Sequence, residues 1–247
     1  MAKASAAGDR VVLVCATRGE QGEPQPGVLA DGEELWQRRV VELAASCEIL
    51  GAEPPRWLGY EDSGMDGEPS NDNPACFWQA DHDEATERLA VILREVQADT
   101  LTIYDHHGGY GHPDHIRVHT VGVAAAARVG LANVFEATIN RDDVKAMMEN
   151  QQARAEAAGA AVDGPDVEMD TFGTAHHDIS YRVDVGAFVE QKRQAMIAHR
   201  SQIGPEDFLL ALPHDHFATA FGTEWFNVPG RTGTGGATEV ALLPGLG

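Results

Sequence analysis

Basic residues are scarce in this sequence. Its 247 residues contain 18 lysines and arginines against 39 aspartates and glutamates, which gives a formal net charge of −21. A surface with this charge repels phosphate backbones and anionic lipids, so we expect neither a nucleic-acid partner nor a membrane partner. The excess of acid mainly keeps the protein soluble, and it suits a neutral or cationic small-molecule partner.

Cysteine is also rare, and long hydrophobic runs are missing. Cys15, Cys47 and Cys76 are an odd number and form no CxxC spacing, so they are predicted to be reduced thiols. No apolar stretch approaches the roughly 20 residues of a membrane span, and no charged-then-apolar leader is seen. These absences predict a cytoplasmic protein, and they leave open whether it forms a homo-oligomer.

Short β-branched runs alternate with segments whose apolar residues recur at helical spacing. Strands that are covered by helices on both faces have this nearly all-apolar composition. The alternation predicts the α/β class, with a Rossmann-like, largely parallel sheet and helices on both of its faces. We predict strands at 11–17, 100–105, 133–140 and 179–185, a short strand and loop within 54–65, and helices at 32–51, 83–98, 114–130 and 186–202.

The domain organisation is predicted from composition. One domain is expected over residues 1–230, followed by a Gly-rich tail at 231–247 that has no helical period and is expected to be loose. Residues 142–164 are rich in alanine, glutamine and glutamate, and we expect a helix and a mobile connection there.

The first eight residues raise a topological question. They favour a helix that ends at Gly8, but this segment is too short for a stable isolated helix, and a buried strand follows it at once. In an α/β chain, a helix that leads into a strand normally crosses over from an earlier strand. We therefore expect the first strand of the sheet to be missing from this chain.

Five histidines and two aspartates lie within residues 105–119, which read DHHGGYGHPDHIRVH. In open parallel sheets, ligands bind beyond the carboxyl ends of strands, and this segment directly follows the predicted strand 100–105. Gly108 and Gly109 permit a tight turn, and Pro113 suits the first turn of a helix. The sequence therefore predicts a functional loop at this edge of the sheet.

Within this loop, His112, Asp114 and His115 are the functional candidates. Histidine serves as an acid, a base or a metal ligand, and a nearby aspartate can fix its tautomer. His119 lies one helical turn after His115, but its segment lacks the glutamate of a metalloprotease HExxH helix, so packing or capping is predicted for it. The two histidines that open the segment are predicted to be ordinary loop residues.

Other polar clusters are weaker candidates. The sequences AHHD at 175–178 and PHDH at 213–216 contain ligand-type residues, but close neighbours along a chain usually point in different directions, so solvated loops are predicted. A nucleophile elbow, a Walker loop and a GxGxxG turn are all missing from the sequence.

The segment GGYGHPDHIRVH resembles the second signature of the LmbE-like (PIG-L-like) zinc-dependent N-deacetylases. This family deacetylates N-acetylglucosaminyl conjugates and includes the mycothiol-pathway N-acetylglucosaminyl-inositol deacetylase. The likeness continues through VVLVCATRGEQGE, RRVVELAASCEILG, LGYEDSGM and FGTEWF, and so covers most of the chain. It implies hydrolysis of the acetamide of a small-molecule amino-sugar conjugate, with Zn²⁺, or alternatively Fe²⁺, as the cofactor.

The resemblance also implies roles for single residues. By position, His115 matches the histidine ligand of the zinc, and His112 matches the histidine that assists the oxyanion or the leaving group. Asp114 matches the carboxylate that orients that histidine. Tyr110 matches a tyrosine that polarises the carbonyl. The positions that contact the sugar in the family correspond, less closely, to Arg39 and Asp62.

The family's first signature, Ala-His-Pro-Asp-Asp-Glu at the end of the first strand, has no counterpart in this sequence. It implies two further zinc ligands and the general base. The resemblance therefore predicts a chain without its true N-terminus, through a misplaced start codon or a truncation, with a natural pseudoenzyme as the second explanation. We expect residues 1–247 alone to aggregate, to bind no stoichiometric zinc and not to deacetylate.

Three functions remain open on the sequence. The first is a zinc-dependent N-deacetylase of an amino-sugar conjugate. The second is a non-catalytic protein that keeps the sugar pocket without the metal. The third is an amidase of the same family that cleaves a thiol conjugate.

Overall fold

The computed structural model describes residues 1–157, 172–207, 210–231, 233 and 235–247. The helices are α1 (Ala2–Ala7), α2 (Leu35–Ile49), α3 (His82–Val96), the single turn α4 (Gly108–Gly111), α5 (Pro113–Val129), α6 (Arg141–Ala157), α7 (Val189–Ile197) and α8 (His214–Phe221). The strands are β1 (Val14–Cys15), β2 (Arg56–Trp57), β3 (Thr100–Tyr104), β4 (Asn133–Thr138), β5 (Tyr181–Asp184), β6 (Thr223–Asn227) and β7 (Thr238–Val240).

Local signals set the ends of the two helices behind the candidate site. Asp81 caps α3 by accepting a hydrogen bond from the backbone N–H of Glu84 at 2.9 Å. Helix α5 has Pro113 in its first position and ends at Gly130, whose φ of 74° is the left-handed conformation that favours glycine. The two helices pack against each other, and α5 also packs on β3, so the histidine loop is held at the amino end of a well-anchored helix.

The strands form two sheets. A two-stranded sheet pairs β1 with β2 in parallel, and a five-stranded sheet has the order β3-β4-β6-β5-β7. Within the second sheet, β3 runs parallel to β4 and β7 parallel to β5, whereas β6 runs antiparallel to both of its neighbours. The predicted α/β fold with a sheet flanked by helices is confirmed, and β6 is the strand that departs from the parallel direction.

The first predicted strand is much shorter than expected. The apolar run 11–17 was predicted to be a strand throughout, but regular pairing is limited to Val14 and Cys15. Its only sheet partner among the described residues is the two-residue strand β2, with Val14 opposite Arg56 and Cys15 opposite Trp57. A strand extends only as far as its ladder does, so the short partner limits its length.

The hydrophobic core follows the division of the sheet. One buried cluster joins the β1–β2 sheet to α3 and α5 through side chains such as Leu58, Phe77 and Val121. A second cluster, which includes Phe135 and Phe226, lies between β4, β5 and β6. Burying apolar surface is the main driving force of folding, and here it is shared between two centres, the first of which also packs against Leu101 of β3.

The C-terminal tail departs from the sequence prediction. Residues 231–247 were expected to be loose, but β7 adds to the edge of the sheet beside β5, and Leu243 is buried in the second cluster. The expectation was wrong for these residues because a three-residue strand needs no helical period and is docked by backbone bonds that composition does not reveal. The expected connection after α6 falls at residues 158–164, outside the described part of the chain.

Candidate functional site

A buried aspartate shapes the loop after β3. The Asp105 side chain accepts hydrogen bonds from the backbone N–H of His107 at 3.2 Å, from that of Gly109 at 2.9 Å and from the Thr138 hydroxyl at 2.6 Å. Asp105 is fully buried, so these donors replace the water that its carboxylate loses. The aspartate therefore fixes the turn that presents the histidines.

Glycine is required inside this turn. Gly108 has a φ of 66°, and a Cβ atom built there would lie 2.8 Å from the backbone nitrogen of Ile116. Gly109 has a φ of 74°, but a Cβ atom there would meet nothing within 4 Å. The close approach at Gly108 brings the turn against the first residues of α5 and fixes the distance between them.

His115 is held as a neutral imidazole with one free nitrogen. Its Nδ1 lies 3.1 Å from the carbonyl oxygen of Gly108, which can only accept, so Nδ1 carries the proton and Nε2 keeps its lone pair. Its ring stacks on Tyr104 with the centroids 3.9 Å apart and the planes 7° apart. Burial lowers the pKa of His115 to about 4. A neutral, oriented imidazole of this kind is the form that binds metals.

His112 carries its proton on the other ring nitrogen. As the N-cap of α5, it accepts a hydrogen bond at Nδ1 from the backbone N–H of Asp114 at 3.1 Å, so its proton is on Nε2. That Nε2 atom lies 4.0 Å from Oδ1 of Asp62, and burial lowers the pKa of His112. The ring centroids of His112 and His115 are 4.9 Å apart. The pair therefore places one N–H donor beside one free acceptor.

The Asp114 carboxylate does not bond the His112 ring. It accepts hydrogen bonds from the Ser63 hydroxyl and, at 3.2 Å, from the Ser63 backbone N–H. Ser63 is fully buried and its Oγ also accepts a bond from the backbone N–H of Trp78 at 2.9 Å. The expected carboxylate–histidine pairing is therefore not formed; the backbone amide of Asp114 orients His112 instead. Burial is the main cause that raises the pKa of Asp114 to about 6.

Asp62 is tied to the loop after β1. Its Oδ1 accepts a bond from the N–H of Gly64 at 3.0 Å, and its Oδ2 accepts one from the N–H of Gln21 at 3.2 Å. The Asp62 backbone N–H donates in turn to Glu20 Oε2 at 3.2 Å. These bonds join the carboxyl ends of β1 and β2, so Asp62 is fixed in place before any ligand binds.

Tyr110 and Arg39 complete the set of predicted residues. Tyr110 is 55% exposed, and its ring meets the His115 ring edge-on with the centroids 5.2 Å apart. Arg39 reaches over from α2 and donates from Nη1 to the Gly19 carbonyl at 2.9 Å. One cavity is lined by all six residues that the sequence singled out: Arg39, Asp62, Tyr110, His112, Asp114 and His115.

The fit of this site to zinc is incomplete. A zinc ion in a catalytic site takes three protein ligands and leaves one position open. His115 has the tautomer and the free nitrogen of a ligand, but within the described ranges no group of three histidine, cysteine, aspartate or glutamate side chains could hold a metal ion. The described residues therefore supply part of a zinc site and not the whole of it.

Sequence reasoning missed three residues that build the site: Ser63, Tyr104 and Asp105. An aspartate that directly follows a strand and stands three and four residues before two glycines is a recognisable turn signal, so Asp105 could have been found. Ser63 and Tyr104 act through partners about 50 and 11 positions along the chain, and only the fold brings them together.

The remaining polar candidates have structural positions. His119 Nδ1 lies 3.3 Å from the Tyr104 carbonyl and 3.4 Å from Glu136 Oε1, in agreement with a packing role. His176 begins a 3-10 turn and bonds Asn140 at 3.0 Å. The PHDH segment was expected to be a solvated loop, but His214 begins α8, a helix that buries Phe217.

The α/β fold, and a histidine pair at the carboxyl edge of its sheet, define the class of protein. A family model described as PIG-L, GlcNAc-PI de-N-acetylase, matches residues 1–126, and the chain belongs to this family. The family prediction made from the histidine loop is therefore confirmed.

Two relatives of this chain are named 1D-myo-inositol 2-acetamido-2-deoxy-alpha-D-glucopyranoside deacetylase. The one from Thermobifida fusca is 36% identical over 244 residues, which cover 92% of this chain and 85% of the relative. The one from Acidothermus cellulolyticus is 38% identical over 239 residues, which cover 92% of this chain and 81% of the relative.

A solved structure supports the fold. The N,N'-diacetylchitobiose deacetylase from Pyrococcus horikoshii, complexed with its inhibitor MPG, superposes with a TM-score of 0.57 at 22% identity, over 92% of this chain and 75% of that chain. At this identity the comparison concerns the fold alone. Among the residues described, no helix has both the length and the apolar character to cross a bilayer.

Proposed function

We propose that the protein is an N-deacetylase of an N-acetylglucosamine-type amino-sugar conjugate, with 1D-myo-inositol 2-acetamido-2-deoxy-α-D-glucopyranoside as the candidate substrate. The observation that carries the proposal is the histidine pair: the His112 Nε2–H donor and the free His115 Nε2 acceptor have ring centroids 4.9 Å apart beside one cavity. The names of the relatives support the substrate class.

Hydrolysis of an acetamide requires a nucleophilic water, a donor for the oxyanion and a proton for the leaving amine. His112 suits the second and third tasks, because its Nε2–H bonds no backbone group of the described residues and Asp62 lies 4.0 Å away to stabilise a positive ring. The Tyr110 hydroxyl is a second donor for the carbonyl oxygen. Asp62 and Arg39 offer the charged groups that bind sugar hydroxyls.

Zinc, when bound, would supply a Lewis acid and an activated water. His115 is the described residue that would hold it. Because the other ligands are not found among the described side chains, we derive no catalytic step through the metal for this chain. The proposal therefore assigns substrate binding, oxyanion stabilisation and proton transfer to the described residues.

The first experiment separates substrate binding from turnover. Calorimetric titration with the acetylated glucosaminyl-inositol should give measurable heat of binding, and Arg39→Ala should weaken it about tenfold or more, since a lost hydrogen bond to a charged group costs roughly 1.5–3 kcal/mol. Arg38→Ala is the matched control, because that neighbouring arginine is bonded to Glu33 instead. An equal effect of both variants, or no binding at all, would contradict the proposal.

A non-catalytic sugar-binding protein is the second candidate, and the incomplete metal site favours it. Release of free amine from the same conjugate, measured in zinc-supplemented protein, distinguishes the two. Amine release that disappears in His112→Ala supports the deacetylase; binding without amine release supports the binding protein. Hydrolysis of a thiol-conjugate amide in preference to the acetamide would favour the amidase of the same family.

A further inference from the structure

A chain of side-chain hydrogen bonds runs from the end of strand β6 to the histidine loop. Asn227, the last residue of β6, donates from Nδ2 to the hydroxyl oxygen of Thr174 at 2.9 Å. The hydroxyls of Thr174 and Thr138 lie 2.9 Å apart, and the Thr138 hydroxyl donates to Oδ2 of Asp105 at 2.6 Å. Asp105 is fully buried and Asn227 is 7% exposed, so both ends of the chain are shielded from water.

The donors and acceptors of this chain all point in one direction. A carboxylate can only accept, so the Thr138 hydroxyl donates its single proton to Asp105. Thr174 must then donate to Thr138, and its oxygen accepts from the Asn227 amide. Asn227 Oδ1 has no partner among the described residues, so the bond from Nδ2 orients this amide. Hydrogen bonds that point the same way polarise and strengthen one another in a low-dielectric interior.

The other oxygen of Asp105 holds the peptide group between Gly108 and Gly109, here called the glycine peptide. Asp105 Oδ1 accepts a hydrogen bond from the N–H of Gly109 at 2.9 Å. A trans peptide is planar, with its N–H and C=O pointing in opposite directions, so the same bond aims the Gly108 carbonyl away from Asp105. That carbonyl oxygen lies 3.1 Å from Nδ1 of His115. The orientation of the glycine peptide therefore decides which nitrogen of His115 is free.

The glycine peptide could adopt the opposite orientation. Glycine on either side of it tolerates the backbone angles of both orientations. A Cβ atom built at Gly109 would meet no described atom within 4 Å, so the space beside the peptide is open. Rotation by half a turn would present an N–H to His115 in place of the carbonyl. Nδ1 would then accept, and the proton would move to Nε2, the nitrogen that now keeps its lone pair.

Backbone pairing already holds the segments of the chain together. Thr138 pairs with Trp225 between β4 and β6. The Thr174 N–H donates to the Ile139 carbonyl at 2.9 Å. The side-chain bonds are therefore not needed to dock these segments, and what they add is a fixed orientation of the Asp105 carboxylate.

We propose that Asn227, Thr174 and Thr138 are positioning residues for the deacetylation. Their one-way hydrogen-bond chain locks the Asp105 carboxylate, which holds the glycine peptide in the orientation that leaves Nε2 of His115 free. The inference rests on the proposed function, because it gives these residues a part in that reaction. Its test measures the His115 ring and not the reaction, so the two can fail separately.

The test measures the tautomer of His115 by nitrogen-15 magnetic resonance of the metal-free protein at neutral pH, with His115→Ala to assign the signals. In the wild type, Nδ1 should carry the proton and Nε2 should not. Thr138→Val keeps the shape and removes the hydroxyl, so it should populate the opposite tautomer, and Thr138→Ser should restore the native one. Hydrogen exchange at the Gly109 amide should be at least about tenfold faster in Thr138→Val, because the lost bond to the Asp105 carboxylate is worth about that factor.

Thr86→Val is the matched control. Thr86 is fully buried, and its Oγ1 has no partner among the described residues, so the same chemical change outside the chain should leave His115 unaltered. Thr174→Val and Asn227→Asp interrupt the chain further from Asp105. They should shift the tautomer in the same direction as Thr138→Val, but by less.

The outcomes separate positioning from simple packing. A Thr138→Val protein that keeps the native tautomer and exchange rate overturns the proposal, and so does an equal effect of Thr86→Val. If Thr138→Val does not fold, Thr174→Val and Asn227→Asp replace it, and the native tautomer in both overturns the proposal. A shifted tautomer in a protein that releases no amine from the conjugate supports the positioning role and refutes only the proposed reaction.

Discussion

The ring of His115 lies flat on the ring of Tyr104, with the centroids 3.9 Å apart and an interplanar angle of 7°. The stack fixes the ring plane, while the Gly108 carbonyl fixes the tautomer. Together they aim one nitrogen of His115 without help from a metal, which is the preorganisation that a ligand needs.

This stack can be tested by nuclear magnetic resonance on the protein in solution. Tyr104→Ala should move the His115 ring-proton resonances downfield, because a proton over an aromatic face is shielded, whereas Tyr104→Phe should keep them near the native positions. If Tyr104→Ala leaves these resonances unchanged, the stack does not exist in solution.

Alanine substitutions of His112 and His115 should have different effects. In a chain that also carries the family's first signature and is loaded with zinc, His115→Ala should remove the metal, since a three-ligand site has none to spare. His112→Ala should keep the metal and lower turnover by roughly 10²- to 10⁴-fold, the range for an acid–base or oxyanion group. Metal content by elemental analysis and amine release are the two measurements. Loss of metal in His112→Ala, with turnover retained in His115→Ala, would reverse the two roles.

Gly108 can be tested by an alanine substitution. Its φ of 66° is positive, so alanine costs about 1–2 kcal/mol of backbone strain. The new Cβ would also meet backbone, at 2.8 Å from Ile116 N, which adds about 1–3 kcal/mol. Urea unfolding of Gly108→Ala should therefore show a loss of about 2–5 kcal/mol relative to the wild type. A loss no larger than the strain of the positive φ alone would mean that the turn does not press against α5 as described.

The raised pKa of Asp114 predicts that the stability of the protein depends on pH. Burial raises its pKa from 3.8 to about 6 in the folded protein, so the folded state binds a proton that the unfolded state has already released. The contribution of this group therefore becomes less favourable as the pH rises from about 4 to about 6. Asp114→Asn should remove this component, so that the difference in unfolding free energy between variant and wild type shifts in favour of the variant across that window. A difference that stays constant, or that shifts towards the wild type, would contradict the raised pKa.

Most helices and strands were predictable because local signals set them, although α8 lies where a loop was expected. Helix α5 was located from its proline and its terminal glycine, and the histidine loop from its place after a buried strand. The sequence did not predict that pairing within residues 11–17 is limited to Val14 and Cys15, since ladder length depends on a partner distant in the chain. β7 carried no periodic signal that a window of sequence could detect.

The sequence identified the residues of the site but not the contacts between them. The six candidates do line one cavity. The contacts that hold Asp114 and the histidine turn come from Ser63, Tyr104 and Asp105, and two of these three have no pattern of their own. The Asp114 carboxylate was expected to orient the His112 ring, but it accepts two hydrogen bonds from Ser63 instead. Two hydrogen bonds at a buried site stabilise the carboxylate more than one bond to the His112 ring would.

The division of the hydrophobic core into two clusters has a consequence for cooperativity. Side chains that share one core melt together, whereas separate cores can open one at a time. Calorimetry of the protein should then show a calorimetric enthalpy larger than the van't Hoff enthalpy, with the Phe77 cluster and the Phe135 cluster losing protection at different temperatures. His115 would follow the first of these and β4 the second, so the loss of the first cluster alone would end the alignment of Tyr104 with its histidine while β4 remained folded.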